Sequence, residues 1–387
     1  MRLLDASSIT GFAWPESEAG RLARTYLPPI LSAGMPEYVE NAHGEMFILE
    51  DGDLVLPVVV TDANEDDTYV VSIHTQYSSY AVDELHRYLS PTKAAIISAG
   101  PRALGAILRA AKTNRAVYVN NWLVSTALFP ESGAEHLGTI TEFLRGRFPQ
   151  HAIVFRSLNE VTSAEWMRAL AALGYRFLFS RLVYIMLRCD PDALPKNARR
   201  HLRQDGEMFA RSGYQVRPSL RGSREEADAL RRLYEALYLE KYSPHNPQYT
   251  SRFFRETMAS GSLRVFTLQK GCRVAGVMGY FILAGVLTAP IFGYDTSLPQ
   301  SLGLYRMLSS ATLNFARVEG LVDHASAGVG AFKRVRGYRP TPEYTAVLAD
   351  HLPLFSRHAW RLLERYANRV VLPRWCRFDL GRDAPSD

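Results

Sequence analysis

Gln300-Ser-Leu-Gly303-Leu-Tyr305 stands between an apolar segment and a helical pattern. The apolar segment at 288–294 predicts a strand, and apolar residues recur at helical spacing from Leu304 to Val318. A strand that enters a helix through a tight turn leaves backbone N–H groups unpaired, beside the positive end of the helix dipole. Gly303 has no side chain to keep a bulky anion away. The stretch therefore predicts a phosphate or pyrophosphate site.

A short basic segment follows at residues 332–339 and ends in Gly337-Tyr338 before another predicted strand. Lys333 and Arg336 would face the predicted phosphate site, where their charges could contact an anion. A solvated helix face is the alternative for both side chains.

The order of these elements resembles the GNAT acyltransferase superfamily: a strand, a Gln-x-x-Gly turn, a helix, a second strand and a short helix ending in Gly-Tyr. The resemblance implies that the turn holds the pyrophosphate of acyl-CoA, which is a co-substrate, and it implies no metal. The implied binding residues are Gln300, Leu302, Gly303, Leu304, Tyr305 and Lys333. The family usually has Gly or Ala at the sixth position of the turn, where this sequence has Tyr305.

The first half of the chain repeats part of this order. Leu173-Gly174-Tyr175-Arg176 mirrors Arg336-Gly337-Tyr338-Arg339, and both follow a predicted helix and precede a strand. The first half has no Gln-x-x-Gly turn, so only the second half would keep a cofactor site. The whole resembles the Fem-type and related tandem N-acyltransferases.

This resemblance predicts an α/β (α+β) fold of two GNAT-like domains in tandem, each a mixed, mostly antiparallel sheet flanked by helices. We place a degenerate domain at 1–190 and the acyl-CoA-binding domain at 191–387.

Local patterns predict the individual elements. Asp51-Gly52 predicts a hairpin turn between two apolar strands. Pro28 and Pro29 should keep an early helix at Leu22–Tyr26 short. Further strands are predicted at 68–74, 94–98 and 116–128, and an antiparallel meander at 263–268, 274–283 and 286–294, with its middle strand central.

Composition limits the class of protein. The 387 residues suggest two domains, and 47% hydrophobic with 22% charged residues is typical of a globular protein. We expect no membrane span and no signal peptide, because no apolar run is long enough. The three cysteines are scattered without metal-ligand spacing. We therefore expect a soluble cytoplasmic protein. A net charge of +6 favours an anionic ligand such as CoA or a nucleic acid.

N-acyl transfer needs a donor carbonyl held beside an amine that has lost its proton. In GNAT proteins two neighbouring strands splay apart around the acyl chain, and here these would be 286–294 and 321–327. Tyr294, Asp295 and His324 are the catalytic candidates beside that cleft. A turn-capping role is the alternative for Asp295, and a packed structural histidine is the alternative for His324.

The acceptor side is predicted in the loop that starts at Tyr242 and contains His245, because such loops often close over substrates. Many GNAT enzymes have a tyrosine in the last helix that protonates the leaving thiolate, but Phe332 stands in the matching region here. For Tyr338, a role in the site and simple packing in the core are equally compatible with the sequence.

The sequence thus predicts an N-acyltransferase that moves an acyl group from acyl-CoA to the amine of a small molecule or amino acid. Aminoacyl-tRNA-dependent transfer, as in Fem-type enzymes, is an alternative that the basic helix start at 196–203 would serve. An acyl carrier protein is another alternative donor. A non-enzymatic CoA-binding scaffold remains open, whereas the motifs of serine hydrolases, zinc proteases and P-loop kinases are absent from the sequence.

Overall fold

The computed structural model describes residues 1–219 and 222–380. Within them, 12 strands form one sheet with the order β1-β2-β3-β4-β5-β12-β6-β11-β10-β9-β8-β7. The strands are β1 (Arg2–Leu4), β2 (Glu45–Asp51), β3 (Leu54–Thr61), β4 (Ala116–Val119), β5 (Ala152–Leu158), β6 (Arg176–Met186), β7 (Gln215–Pro218), β8 (Arg264–Lys270), β9 (Arg273–Leu283), β10 (Val286–Tyr294), β11 (Val322–His324) and β12 (Arg339–Leu348).

Helices cover both faces of this sheet. They are α1 (Glu18–Ala33), α2 (Ile73–Tyr77), α3 (Ser79–Tyr88), α4 (Pro91–Ala110), α5 (Leu137–Arg147), α6 (Ala164–Ala172), α7 (Lys196–Ser212), α8 (Arg224–Glu235), α9 (Ser251–Ser260), α10 (Leu304–Val318), α11 (Gly330–Arg334), α12 (Leu354–Tyr366) and α13 (Leu372–Leu380). A π-helical segment, Ala236–Tyr242, continues α8. None of the helices in the described part of the chain is both long and apolar enough to cross a membrane.

Strands β6 and β12 join the two halves into one continuous sheet. β12 pairs with both β5 and β6, and β6 pairs in turn with β11. The pairs β4–β5 and β10–β11 are parallel, whereas the others are antiparallel. The predicted fold class, a mixed and mostly antiparallel arrangement flanked by helices, is confirmed. The division at residue 190 stays a prediction.

Strands β10 and β11 pair only over a short distance. Val286–Thr288 lie opposite Val322–His324, and beyond this point β10 continues beside β9 alone. A register shift between Thr288 and Ile291 accompanies the separation. The sheet therefore has an opening where the two strands diverge, between the strands predicted to splay.

The helices of the second half pack on opposite faces around this opening. Met307 and Leu308 of α10 contact a core cluster that contains Met278 of β9. Tyr234 of α8 lies in a different cluster with Val277, the neighbour of Met278. Since neighbouring strand residues point to opposite faces, α8 and α10 cover the two sides of the sheet.

Two predicted strands of the first half are wrong. Residues 68–74 form a turn that enters α2, where Ser72 caps the helix by accepting from the N–H of Thr75 at 3.0 Å. Residues 94–98 lie inside α4, which begins at Pro91, a residue suited to the first helical turn. The apolar pattern misled there because Ile96 and Ile97 are exposed, at 71% and 49%.

Two further expectations also need correction. The strand expected at 116–128 ends at Val119, because Asn120 has a φ of 59° and its side chain donates to the carbonyl of Leu128 at 2.9 Å. Helix α1 contains Pro28 and Pro29 in its interior and is longer than expected. The hairpin at Asp51-Gly52 and the meander β8–β9–β10, with β9 central, are confirmed.

Candidate active site

A cavity of about 130 Å³ passes through the opening between β10 and β11. Residues from both faces of the sheet line it. On the α10 side, these include Tyr305, Ser309, Leu313, Asp323, Phe332 and Tyr338. On the α3 side, they include Tyr69, Tyr80, Glu84, Arg87, Arg181, Tyr238 and Tyr242. A ligand in this cavity can therefore contact both faces of the sheet and both halves of the chain.

The α10 side contains a buried acid, Asp323 of β11. Its Oδ2 accepts a hydrogen bond from the hydroxyl of Tyr338 at 2.5 Å. Its Oδ1 is buried and has no hydrogen-bond partner within the described residues. Burial raises the pKa of Asp323 to about 6, although the Tyr338 hydrogen bond opposes this change. Near neutral pH this carboxyl can therefore exchange a proton.

The α3 side contains a second acid, Glu84 of α3. It is partly buried among aromatic side chains, and burial raises the pKa of its carboxyl to about 7. The charges of Arg181 and Arg87 act against this rise. A carboxyl with a pKa near neutrality is well suited to general-base catalysis.

A turn lies at the predicted position directly before α10. Gln300–Leu302 form a short 3₁₀ turn, and Gly303 has a φ of 69° directly before α10. The first N–H groups of α10 are free of helical partners by the geometry of any helix start. Leu304 is buried in the core, whereas Gln300 and Leu302 are exposed.

Helix α7 covers this turn. A Cβ added at Gly303 would lie 2.7 Å from Sδ of Met208 on α7, so the glycine allows the close approach of a side chain here. Asp205 of α7 is buried and binds Arg306 of α10 with an Nη2–Oδ1 distance of 2.7 Å. Side chains of α7 therefore fill part of the space beside the turn.

The cations expected at the phosphate site already have partners. Lys333 is buried, and its ammonium donates to the carbonyls of Ala325 at 2.6 Å and Ala327 at 2.8 Å. Arg336 binds Asp205 with an Nε–Oδ2 distance of 2.6 Å. These contacts fix the loop between β11 and α11.

Tyr305 fills space beside the turn with its aromatic ring. Its centroid lies 5.0 Å from that of Phe332, 5.5 Å from that of Phe292 and 6.4 Å from that of Tyr294. Where the family usually has Gly or Ala, this chain therefore has a side chain that connects β10, α10 and α11.

None of the three predicted catalytic residues is among the residues that line the cavity. His324 follows Asp323 on β11 and so points to the other face. Burial lowers the pKa of His324 to about 4, so its ring is neutral. Asp295 binds Arg273 at 2.7 Å, and hydrogen bonds from Ser297 and Arg273 lower its pKa. Tyr294 accepts from Lys241 at 3.3 Å.

The two predicted acceptor residues lie on the α3 side. Tyr242 lines the cavity, and the guanidinium of Arg87 lies 3.5 Å from its ring centroid. His245 lies behind this wall, with its Nε2 3.9 Å from Oδ2 of Asp83. The loop from the second half thus packs against α3 of the first half.

A family model matches about a third of the chain, in its second half. Residues 196–334 match the family model described as an acetyltransferase (GNAT) domain. This part of the chain is similar to GNAT acetyltransferase domains. The chain is thus an acyltransferase, and the GNAT resemblance is confirmed. As a GNAT acyltransferase it implies an acyl donor and an amine acceptor.

Several solved structures are partly similar to this chain. The C-terminal domain of a putative lysylphosphatidylglycerol synthetase from Agrobacterium fabrum is 13% identical, with 77% of this chain and 99% of that chain covered and a TM-score of 0.45. FemX is 10% identical, with 64% and 83% covered and a TM-score of 0.45. A tandem GNAT protein from the clavulanic acid biosynthesis pathway is 14% identical, with 60% and 74% covered and a TM-score of 0.33. A comparison with curated proteins gives no significant match.

Sequence reasoning missed the two acids of the cavity. Glu84 comes from the first half, in a region without a motif, and only the packing of α3 brings it to the opening. Asp323 precedes His324 in the sequence, and consecutive strand residues point to opposite faces of the sheet. Asp323 could have been predicted only if the face that the cavity occupies had been known. The described residues contain no group of three or more His, Cys, Asp or Glu side chains placed to hold a metal ion.

Proposed function

We propose that this GNAT protein is an N-acyltransferase in which the acyl group passes through the opening between β10 and β11. The donor occupies the α10 side and the amine of a small molecule or amino acid occupies the α3 side. The observation that carries the proposal is the cavity itself, which is lined from both faces of the sheet and has a titratable carboxyl on each side.

Glu84 is the proposed base. The nitrogen of the amine attacks the donor carbonyl carbon and forms the new C–N bond, while the bond from that carbon to the leaving sulfur or oxygen breaks. The proton lost by the nitrogen goes to the Glu84 carboxylate, directly or through one bound water. Positioning in the cavity contributes to the rate by holding the two reacting groups together.

Asp323 is the proposed proton source on the donor side. In its protonated form it gives a proton to the leaving atom, and solvent then restores the Asp323 proton while Glu84 releases its own. The hydroxyl of Tyr338 holds Oδ2, so Oδ1 is the oxygen available for this exchange. An anionic leaving group would raise the pKa of Asp323 further and so favour the protonated form.

Acyl-CoA is the first donor that we propose. The N–H groups at the start of α10 and the dipole of that helix favour a pyrophosphate beside Gly303. Binding there requires Met208 to make room, because its side chain lies against Gly303.

An aminoacyl-tRNA is the second donor, and one observation favours it. The cations next to the turn are bound to buried protein groups, whereas Arg199 and Arg200 of α7 are exposed. A basic helix surface suits the backbone of a nucleic acid, which binds through several phosphate contacts.

The test compares donors directly. Calorimetry measures the binding of acetyl-CoA, CoA and charged tRNA to the folded protein, and release of free thiol or free tRNA measures transfer to a panel of amines. We expect transfer to depend on Glu84, so that Glu84→Gln loses turnover and keeps donor binding. Glu165→Gln, at an exposed glutamate on α6, is the matched control. Full turnover by Glu84→Gln would refute the assignment of the base.

A further inference from the structure

Arg156 of β5 is a buried arginine without an anionic partner. Only 5% of the residue's surface is exposed to solvent. Within residues 1–219 and 222–380 it forms no hydrogen bond or ion pair, and its Nε is buried without a partner. Its guanidinium lies 5.5 Å from the ring centroid of Tyr69. A buried charge without a counterion is costly, so proteins rarely keep one without a use.

The surroundings of Arg156 have an excess positive charge. Arg181 also lies against Tyr69, with its guanidinium 5.9 Å from the ring centroid. Glu343 binds Arg181 through Nε–Oε1 at 2.7 Å and Nη2–Oε2 at 3.3 Å. One carboxylate thus faces two guanidinium groups. Burial lowers the pKa of Arg156 and the charge of Arg181 adds to this effect, whereas Tyr69 and the carboxylate of Glu343 oppose it.

The unpaired arginine lies next to the cavity. Tyr69 and Arg181 both line the α3 side, and Arg156 lies directly behind Tyr69. The hydroxyl of Tyr118, another neighbour, is buried beside the backbone of Ile73. A guanidinium without a hydrogen-bond partner is a group that an oxyanion needs.

We propose that Arg156, together with Tyr69, forms an oxyanion subsite that binds the carboxylate of the acceptor, so that the acceptor is an amino acid or a similar amine with a carboxylate. This inference rests on the proposed function, since it names the substrate class on the α3 side. One excess guanidinium matches one carboxylate, whereas a phosphate dianion would overcompensate it beside Glu84. The Tyr69 ring lies over the guanidinium of Arg156, so binding of the carboxylate requires this ring to move aside.

The first experiment uses the wild-type protein. Calorimetry and thermal unfolding compare free L-amino acids, their methyl esters, the corresponding decarboxylated amines and inorganic phosphate. We expect at least one amino acid to bind about 10- to 100-fold more tightly than its methyl ester, the range of a charge-assisted pair. Equal binding of acid and ester overturns the proposal, and tight binding of phosphate alone assigns the subsite to a phosphate instead.

The second experiment changes the arginine. We expect Arg156→Met to lose the preference for the acid over the ester while its melting temperature stays equal or rises, because an unpaired charge is removed. Arg156→Lys should keep part of the preference, and Arg102→Met, at an exposed position of α4, should keep all of it. If Arg156 has only a structural role, Arg156→Met should have a lower melting temperature than the wild type, and the ratio of acid to ester affinity should be unchanged.

The two hypotheses fail separately. Amino-acid binding that depends on Arg156, without transfer from any donor, would support the subsite and refute the acyltransferase mechanism. Transfer that depends on Glu84 but shows no preference for acceptors with a carboxylate would support the mechanism and refute the subsite.

Discussion

Asp323 and His324 are consecutive residues of β11 whose side chains lie on opposite faces of the sheet and whose pKa values change in opposite directions. Burial raises the pKa of Asp323 to about 6 and lowers that of His324 to about 4. Both changes favour the neutral form of a buried group. Their effects on stability therefore oppose each other in mildly acidic solution.

Replacing Asp323 with Asn should stabilise the fold above pH 6. The folded protein holds the Asp323 proton more tightly than the unfolded chain does, so this residue's contribution to stability falls as the pH rises from 3.8 to about 6. The full difference is at most about 3 kcal/mol. Urea unfolding at several pH values should show the gain of Asp323→Asn growing up to pH 6 and constant above it. A gain independent of pH would contradict a titrating Asp323.

Replacing His324 with Gln should make the protein less sensitive to acid. The folded state keeps this ring neutral, so the wild type loses stability as the pH falls from 6.5 to about 4, by up to about 3 kcal/mol. Unfolding of His324→Gln should lack this loss. Since the ring does not line the cavity, we expect turnover to change less than in Glu84→Gln, and an equal loss of turnover would restore His324 as a catalytic candidate.

Turnover should show a bell-shaped dependence on pH with its maximum between about 6 and 7, because the reaction needs Glu84 deprotonated and Asp323 protonated at the same time. On the acidic side of this maximum Glu84 is protonated and cannot accept the amine's proton. A general base is worth about 10²- to 10⁴-fold in rate, so Glu84→Gln should lose that much and also lose this limb of the pH–rate profile. The test is the pH dependence of kcat/KM for the wild type and for Glu84→Gln. If the variant keeps the same acidic limb, a group other than Glu84 is responsible for that limb.

A smaller side chain at residue 305 should show whether acyl-CoA is the donor. Tyr305→Ala removes the ring that contacts Phe332, and it gives the turn the small sixth residue that the family usually has. If acyl-CoA is the donor, calorimetry should show tighter CoA binding than in the wild type. A change at Gly303 is less informative, because its φ of 69° and the nearby Met208 would strain any side chain. Absence of CoA binding in both proteins would favour the tRNA donor.

Asp205 should be the most sensitive residue of the second half. Its carboxylate binds both Arg306 and Arg336, so Asp205→Asn leaves Arg336 buried without a counterion. We expect a loss of roughly 3 kcal/mol in the free energy of unfolding, as measured by urea denaturation. Glu207→Gln, two residues further along α7 and exposed, is the control and should change stability by less than about 0.5 kcal/mol. A similar loss in both variants would point to helix propensity rather than the buried pairs.

The sequence predicted the elements that have local signals. The Asp51-Gly52 turn, the meander of β8, β9 and β10, and the glycine before α10 follow from turn chemistry and apolar periodicity. Residues 94–98 show the limit of that reasoning, because an apolar run on an exposed helix face has the same composition as a strand.

The candidate site was less predictable because its groups come from distant parts of the chain. Glu84 lies on α3 and Arg156 on β5, and no spacing in the sequence connects either with Asp323. Lys333 and Arg336 had the charge expected of phosphate ligands, but their partners Ala325, Ala327 and Asp205 emerge only from tertiary packing.

The place of β12 in the sheet has a consequence for how the protein is made. β12 lies between β5 and β6, so the first half cannot complete its sheet until residues 339–348 have left the ribosome. Until then β5 and β6 present open edges to other chains. Contacts between such distant parts of a chain form slowly. We therefore expect that a fragment ending at residue 190 aggregates when expressed alone, and that adding residues 191–387 as a separate chain during synthesis restores solubility.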